Sequence, residues 1–95
     1  MFNSGRIFKT IRSIFRKKKI IFLGRVGLKY FDKGKIYLLD SELLSSGQFD
    51  VELYNENIYI VQNKNKILLS ENEKKNVFEK VKLELEYMGL RVKSQ

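Results

Sequence analysis

The sequence predicts an α+β protein: an antiparallel sheet of about four to six strands, with a C-terminal amphipathic helix packed on one face and a basic N-terminal helix. Three observations carry that prediction. Residues 20–69 alternate short β-forming runs with glycine- and asparagine-containing breaks. Residues 70–89 bring a helix start, an apolar periodicity and a stop together in one stretch. Residues 1–19 repeat an apolar spacing of three and four among arginines and lysines.

The N-terminal stretch places Ile7, Phe8, Ile11, Ile14 and Phe15 on one side of a helix, with Arg6, Lys9, Arg12, Arg16 and Lys17 elsewhere and Ser4 as a cap. The apolar run that follows, residues 20–23, is too short for a secretory leader, and no stretch is long enough to span a bilayer. That run reads instead as a buried strand closing at Gly24. Gly27 then precedes a second strand over residues 28–31. Asp32, Lys33 and Gly34 turn the chain through a type I turn with a bulge, and residues 35–39 return antiparallel. Residues 40–46 fit either a continued strand or one turn of helix. Phe49, Val51 and Leu53 alternate with Asp50, Glu52 and Tyr54 as a half-buried strand, and Asn55, Glu56 and Asn57 turn it into a further strand at residues 58–61. Residues 62–66 read as a loop or extended edge.

Ser70 opens the C-terminal helix. Its hydroxyl can accept from an amide one turn on while Glu73 reaches back to the Ser70 amide, a cap contributing about 1 kcal/mol. Val77, Phe78, Val81, Leu85 and Met88 share a face that is expected to meet Tyr30, Ile36, Leu38, Val51, Leu53, Ile58 and Ile60. Gly89 stops the helix, and Arg91, Val92 and Lys93 form a last short strand.

With 95 residues the chain makes a single domain: residues 1–19 form the basic helix and residues 20–95 the sheet plus C-terminal helix. Folding such a chain removes roughly 60 to 65 per cent of its surface from water. Cys and His are both absent, which removes thiolate chemistry, disulfides, the commonest metal ligand and the usual base near neutral pH. A non-enzymatic protein without metal or cofactor is expected. Charge is uneven. Of the net +8, +7 lies in residues 1–19, on Arg6, Lys9, Arg12, Arg16, Lys17, Lys18 and Lys19, and +1 in residues 20–95. The basic segment is either a solvated helix face or a contact for anionic membrane or nucleic acid, and phosphate contact of that kind would be salt-dependent. Tyr30, Phe31, Tyr37, Tyr54 and Tyr59 either stack unpaired bases or simply fill a pleated surface. Asp40, Glu42, Asp50 and Glu52 are either a carboxylate pair or cation site, or the solvent-facing side of two strands.

Three blocks resemble the immunity protein 74 family of bacterial polymorphic toxin systems. Residues 36–44, IYLLDSELL, are similar to a family strand ending in an Asp-x-Glu-x-Leu segment, with Asp40, Glu42 and Leu44 in the matching places. Residues 49–58, FDVELYNENI, are similar to its next strand and turn. Residues 69–92, LSENEKKNVFEKVKLELEYMGLRV, are similar to its closing capped helix, glycine and strand. Where the family carries a Trp followed by prolines after the second block, this chain has Tyr59, Ile60, Val61 and Gln62, so the likeness carries a role and not a particular toxin. That role is a cytoplasmic immunity protein that neutralises a cognate toxin domain by occlusion, with Tyr54, Tyr59, Gln62 and Lys64 as candidate anchors. The basic balance points away from a nuclease toxin, whose blocker is expected to be acidic. The alternative is a small module peripheral to the inner membrane, or bound to nucleic acid, through residues 6–19.

Overall fold

The computed structural model describes residues 19–94; the expected N-terminal helix, with Arg6, Lys9, Arg12, Arg16, Lys17 and Lys18, lies outside them. Strands β1 (Ile20–Phe22), β2 (Val26–Asp32), β3 (Lys35–Leu43), β4 (Val51–Gln62) and β5 (Asn65–Leu68) are followed by helix α1 (Glu71–Tyr87) and strand β6 (Val92–Ser94). The first five form an antiparallel meander in chain order, and β6 joins β4. The α+β class is as expected. One pairing differs: β6 runs parallel to β4, with Val51 opposite Val92 and Leu53 opposite Ser94. The chain leaves α1 beyond the Val51 end of β4 and reverses at Gly89, φ 88°, so its last strand travels with β4. β5 and β6 thus share one edge of β4, at opposite ends.

The turns are tighter than the sequence predicts. Asp32 pairs directly with Lys35, and the two residues between them, Lys33 and Gly34, have φ of 50° and 79°. That is the two-residue type I′ geometry, which matches the twist of paired strands, rather than a type I turn with a bulge. Asn63 and Lys64, φ 50° and 67°, make a second such turn, so of the two readings of residues 62–66 the extended edge holds: Gln62 ends β4 and Asn65 begins the edge strand β5. Gly27, φ 88°, lies inside β2 at a bulge, not before the strand.

The turn expected at Asn55, Glu56 and Asn57 does not exist. Leu39 pairs with Ile58 and Ser41 with Leu53, so residues 54–57 of β4 stand against the single residue Asp40 of β3. The chain bulges without reversing, and both halves of β4 pair with the same strand. The bulge also presents the Glu56 carbonyl to Lys74 of α1, whose Nζ donates to it at 2.8 Å. Across the bulge β3 runs on through Ser41 to Leu43, so residues 40–43 are strand and not a helical turn.

α1 starts and stops on the predicted residues. Ser70 Oγ accepts from the Glu73 amide at 3.4 Å, although the Glu73 carboxylate takes the Ser70 hydroxyl at 3.0 Å instead of the Ser70 amide. At the far end Leu90 N donates to Leu85 O and Gly89 N to Glu86 O, a Schellman pattern, with Leu90 folded onto the core. Val77, Phe78, Val81 and Leu85 are buried against Ile20, Leu28, Tyr30, Tyr37, Leu39, Val51, Leu53, Ile58 and Ile60. Two expectations fail here. Met88 is half exposed, and β3 presents Tyr37 and Leu39 inward, with Ile36 and Leu38 on the other face. Every second residue shares a face, so assigning β3 one position out exchanges the whole set. β1 is also not a buried strand: it forms an edge of the sheet, with Ile20 buried, Phe22 half-buried and Ile21 exposed.

Candidate interaction surface

The side of the sheet turned away from α1 holds two of the predicted anchors, Tyr54 and Tyr59. Cross-strand pairing aligns Ile21, Lys29, Leu38, Tyr59 and Leu68 in one row, and Phe31, Ile36, Val61 and Lys66 in the next. Past the bulges, Val26, Glu42, Glu52 and Lys93 make a third, charged row. Tyr59 is the centre of the β4–β5 part. Lys66 lies over its ring, 4.9 Å from the centroid, and Leu68 is its cross-strand partner. Gln62 and Lys64 lie at the tip of the same hairpin, Gln62 paired with Asn65. Three of the four anchors, Tyr59, Gln62 and Lys64, are therefore brought together. Tyr54 is on the far side of the bulge, where its hydroxyl donates to Glu52 at 3.0 Å, and that bond to a carboxylate raises its pKa.

Sequence reasoning missed Ile67 and Leu68. β5 is the outermost strand, all four of its residues are exposed, and these two point to opposite faces at 46% and 55% exposure. The sequence holds no local signal for this, since pairing on one side only is set by distant neighbours.

The aromatic set divides. Tyr30 and Tyr37 are under α1 with ring centroids 6.0 Å apart, and burial raises the Tyr30 pKa. They fill the core and offer no stacking platform; Phe31, Tyr54 and Tyr59 are on the other face. The carboxylates divide too. Asp50 is tied to Arg91 by two side-chain bonds, 3.1 and 3.0 Å, and accepts the Arg91 amide at 2.7 Å. That bonding holds the Asp50 pKa below its ordinary value and raises that of Arg91. Glu52 instead meets Tyr54 and, at 3.8 Å, Lys93. Asp40 is exposed opposite the bulge, and Glu42 pairs with Glu52 across the strands. Among the described residues no group of three or more carboxylates could hold a metal ion, and no helix is long and apolar enough to cross a membrane. Of the seven basic residues in positions 1–19, Lys19 alone is described; it is exposed, and its carbonyl accepts from Phe31 N at 2.7 Å.

No family model matches the chain, and neither a curated protein nor a solved structure does.

Proposed function

We propose that the protein is a non-enzymatic binding protein of the immunity type, which neutralises a cognate toxin domain by covering it, and that the β4–β5 hairpin is the part that engages. One observation carries the location. β5 ends the sheet with Ile67 and Leu68 exposed on opposite faces, so among the described residues nothing pairs with its outer backbone edge and both flanks are open to a partner. An edge of this kind accepts an added strand, whose main-chain bonds give affinity while side chains on either face give selectivity. Tyr59, Gln62 and Lys64 flank that edge and supply an aromatic anchor, an amide and a cation.

The resemblance supplies the kind of partner. Its three blocks fold mainly as β3, the first half of β4, and α1 with β6. These elements meet: β4 pairs with both β3 and β6, and α1 lies against β4 and β6. The likeness thus covers one contiguous half of the fold, and the hairpin beside it, where the family's Trp and prolines are replaced, is where a different toxin would be selected.

Growth rescue tests the reading. Co-expression should restore growth to cells expressing a toxin-domain protein from the reading frame adjacent to this one, and the Ile67→Asp/Leu68→Asp variant should lose rescue and co-purification while keeping its thermal midpoint. Absence of rescue by the unaltered chain sinks the immunity role; rescue undiminished by the variant sinks the hairpin as its site.

A further inference from the structure

The outer row Phe31, Ile36, Val61 and Lys66 starts on a lysine as well as ending on one, because Lys19 O accepts from Phe31 N at 2.7 Å and Lys19 so stands opposite Phe31. The neighbouring row, Ile21, Lys29, Leu38, Tyr59 and Leu68, has a third lysine. Lys33 and Lys64 occupy the turns of the β2–β3 and β4–β5 hairpins, both of which reverse at this same end of the sheet. Neither the rows nor the turns hold an acid. Asp32, beside the first turn, is taken up by Lys80 of α1 at 3.2 Å, and among the described residues Lys19, Lys29, Lys33, Lys64 and Lys66 are in no ion pair. At the opposite end charges neutralise one another, Arg91 on Asp50 and Lys93 by Glu52.

Between these lysines the floor is apolar and aromatic. Phe31 and Tyr59 are half-buried on the outer face, in β2 and β4, two strand spacings or about 10 Å apart. An open sheet face that sets cations for phosphates beside rings for unpaired bases suits a single strand of nucleic acid. A duplex keeps its bases stacked inside and would leave the rings unused. A bilayer fits less well, because the turn residues at this end, Lys33, Gly34, Asn63 and Lys64, include no apolar side chain to insert, and charge alone anchors weakly. Both turns also keep a lysine at positive φ, 50° at Lys33 and 67° at Lys64, where Asn or Gly would be less strained. Lys66 covers the Tyr59 ring at 4.9 Å from its centroid. A surface contact of that kind is weaker than a base stack, so the lysine can swing to a phosphate and give up the ring.

We infer that the outer sheet face at this end binds single-stranded nucleic acid, with the phosphates on Lys19, Lys29, Lys64 and Lys66 and the bases against Phe31 and Tyr59. The binding has no sequence preference, because stacking and phosphate contact read no base edge. It does not rest on the immunity reading. Tyr59 and Lys64 would serve both, so a toxin and a single strand would exclude one another. The basic residues of positions 6–18 are no part of this site, and the test separates the two.

Fluorescence anisotropy of the full chain with labelled oligothymidylate and oligouridylate of about 16 nucleotides measures the binding. Either oligomer should bind, and the tighter of the two identifies the strand. Lys29→Gln/Lys66→Gln should weaken binding about tenfold and lower the slope of log affinity against log salt by about 1.4, at about 0.7 for each phosphate contact on a single strand. Lys75→Gln/Lys82→Gln, which removes the same charge from α1, should change affinity by less than about twofold. Tyr59→Leu keeps an apolar side chain and removes the ring, and should weaken binding about tenfold with the salt slope unchanged. Equal losses in the two lysine pairs would reduce the binding to net charge, and undiminished binding by Lys29→Gln/Lys66→Gln would assign it to positions 6–18; either overturns the inference. So would a duplex of the same length bound as tightly as the single strand. Failure of both oligomers to bind overturns it as well, and attachment to vesicles of anionic phospholipid in that case would give this end of the sheet to a membrane.

Discussion

The two faces of the sheet are built from the same strands and both carry apolar rows, yet among the described residues only one is covered by a helix. Under α1, Leu28, Val51, Leu53 and Ile58 have no exposed surface. On the other side Phe31, Ile36, Leu38, Tyr59 and Val61 are half-buried, and Ile21 and Leu68 are exposed. Strand composition does not make that difference. What does is a helix with a cap at Ser70, a Schellman stop at Gly89 and four inward residues at helical spacing, held at its ends by Lys74 on the bulge and by the Asp50–Arg91 pair beside β6. A sheet face becomes core when an element is fastened over it.

The widest gap between the faces should appear in large-to-small substitutions. Leu85→Ala and Leu53→Ala, at sites with no exposure, should each cost about 3 kcal/mol in urea denaturation, because they lose transfer energy and leave a cavity. Leu38→Ala on the opposite face should cost about 1 kcal/mol. Equal losses at Leu53 and Leu38 would break the comparison.

A pH titration tests the fastening. Asp50 has its pKa lowered by the bonds from Arg91, so it contributes stability above its ordinary value near 3.8, and that contribution is lost as pH falls through the folded value. The protein should unfold more readily in acid below about pH 4, and Asp50→Asn should flatten the dependence while lowering stability at neutral pH. An unchanged acid limb in that variant would show that other carboxylates govern it.

How far this arrangement can be read from the sequence depends on whether a signal is local. The cap, stripe and stop of α1 lie within one stretch and were legible, as was the hairpin around Gly34. The bulge was not. Asn55, Glu56 and Asn57 carry the residue types that favour turns, and whether a chain reverses or only swells there depends on what β3 offers opposite, which is a distant pairing. The β3 facing failed for the same reason, since Ile36, Tyr37, Leu38 and Leu39 are all apolar or aromatic and the run itself contains no alternation to set the phase. At the candidate surface, Tyr59, Gln62 and Lys64 were singled out because they are residue types suited to contact near a polar stretch. Ile67 and Leu68 were missed because nothing local says that a strand has a neighbour on one side only.

Ser41 sharpens the contrast from inside the dry face. It is 1% exposed, the only buried polar side chain there among the described residues, and its hydroxyl has no hydrogen-bond partner. Leaving such a group unpaired carries a desolvation penalty, so Ser41→Ala should raise stability by about 1 kcal/mol in the same denaturation experiment. A loss of that size instead would mean that the hydroxyl is satisfied, and that the face under α1 admits water at the point where β3 meets the bulge.

The smallest effect is expected at the hairpin tip, which belongs to neither face. Lys64 has φ 67°, a left-handed conformation that a residue with a Cβ resists, and it follows Asn63 at φ 50°. Lys64→Gly would create the Asn-Gly pair that type I′ turns favour, relieving the strain while adding freedom to the unfolded chain, for a net gain of roughly 0.5 kcal/mol. Under the proposed immunity role, stability and binding should therefore separate in this one variant: a midpoint that rises slightly, with weaker co-purification of the proposed toxin partner because the cation at the tip is gone. If the midpoint falls, the turn is not under the strain its backbone implies. If co-purification is unaffected, the proposed contact at the hairpin does not use Lys64.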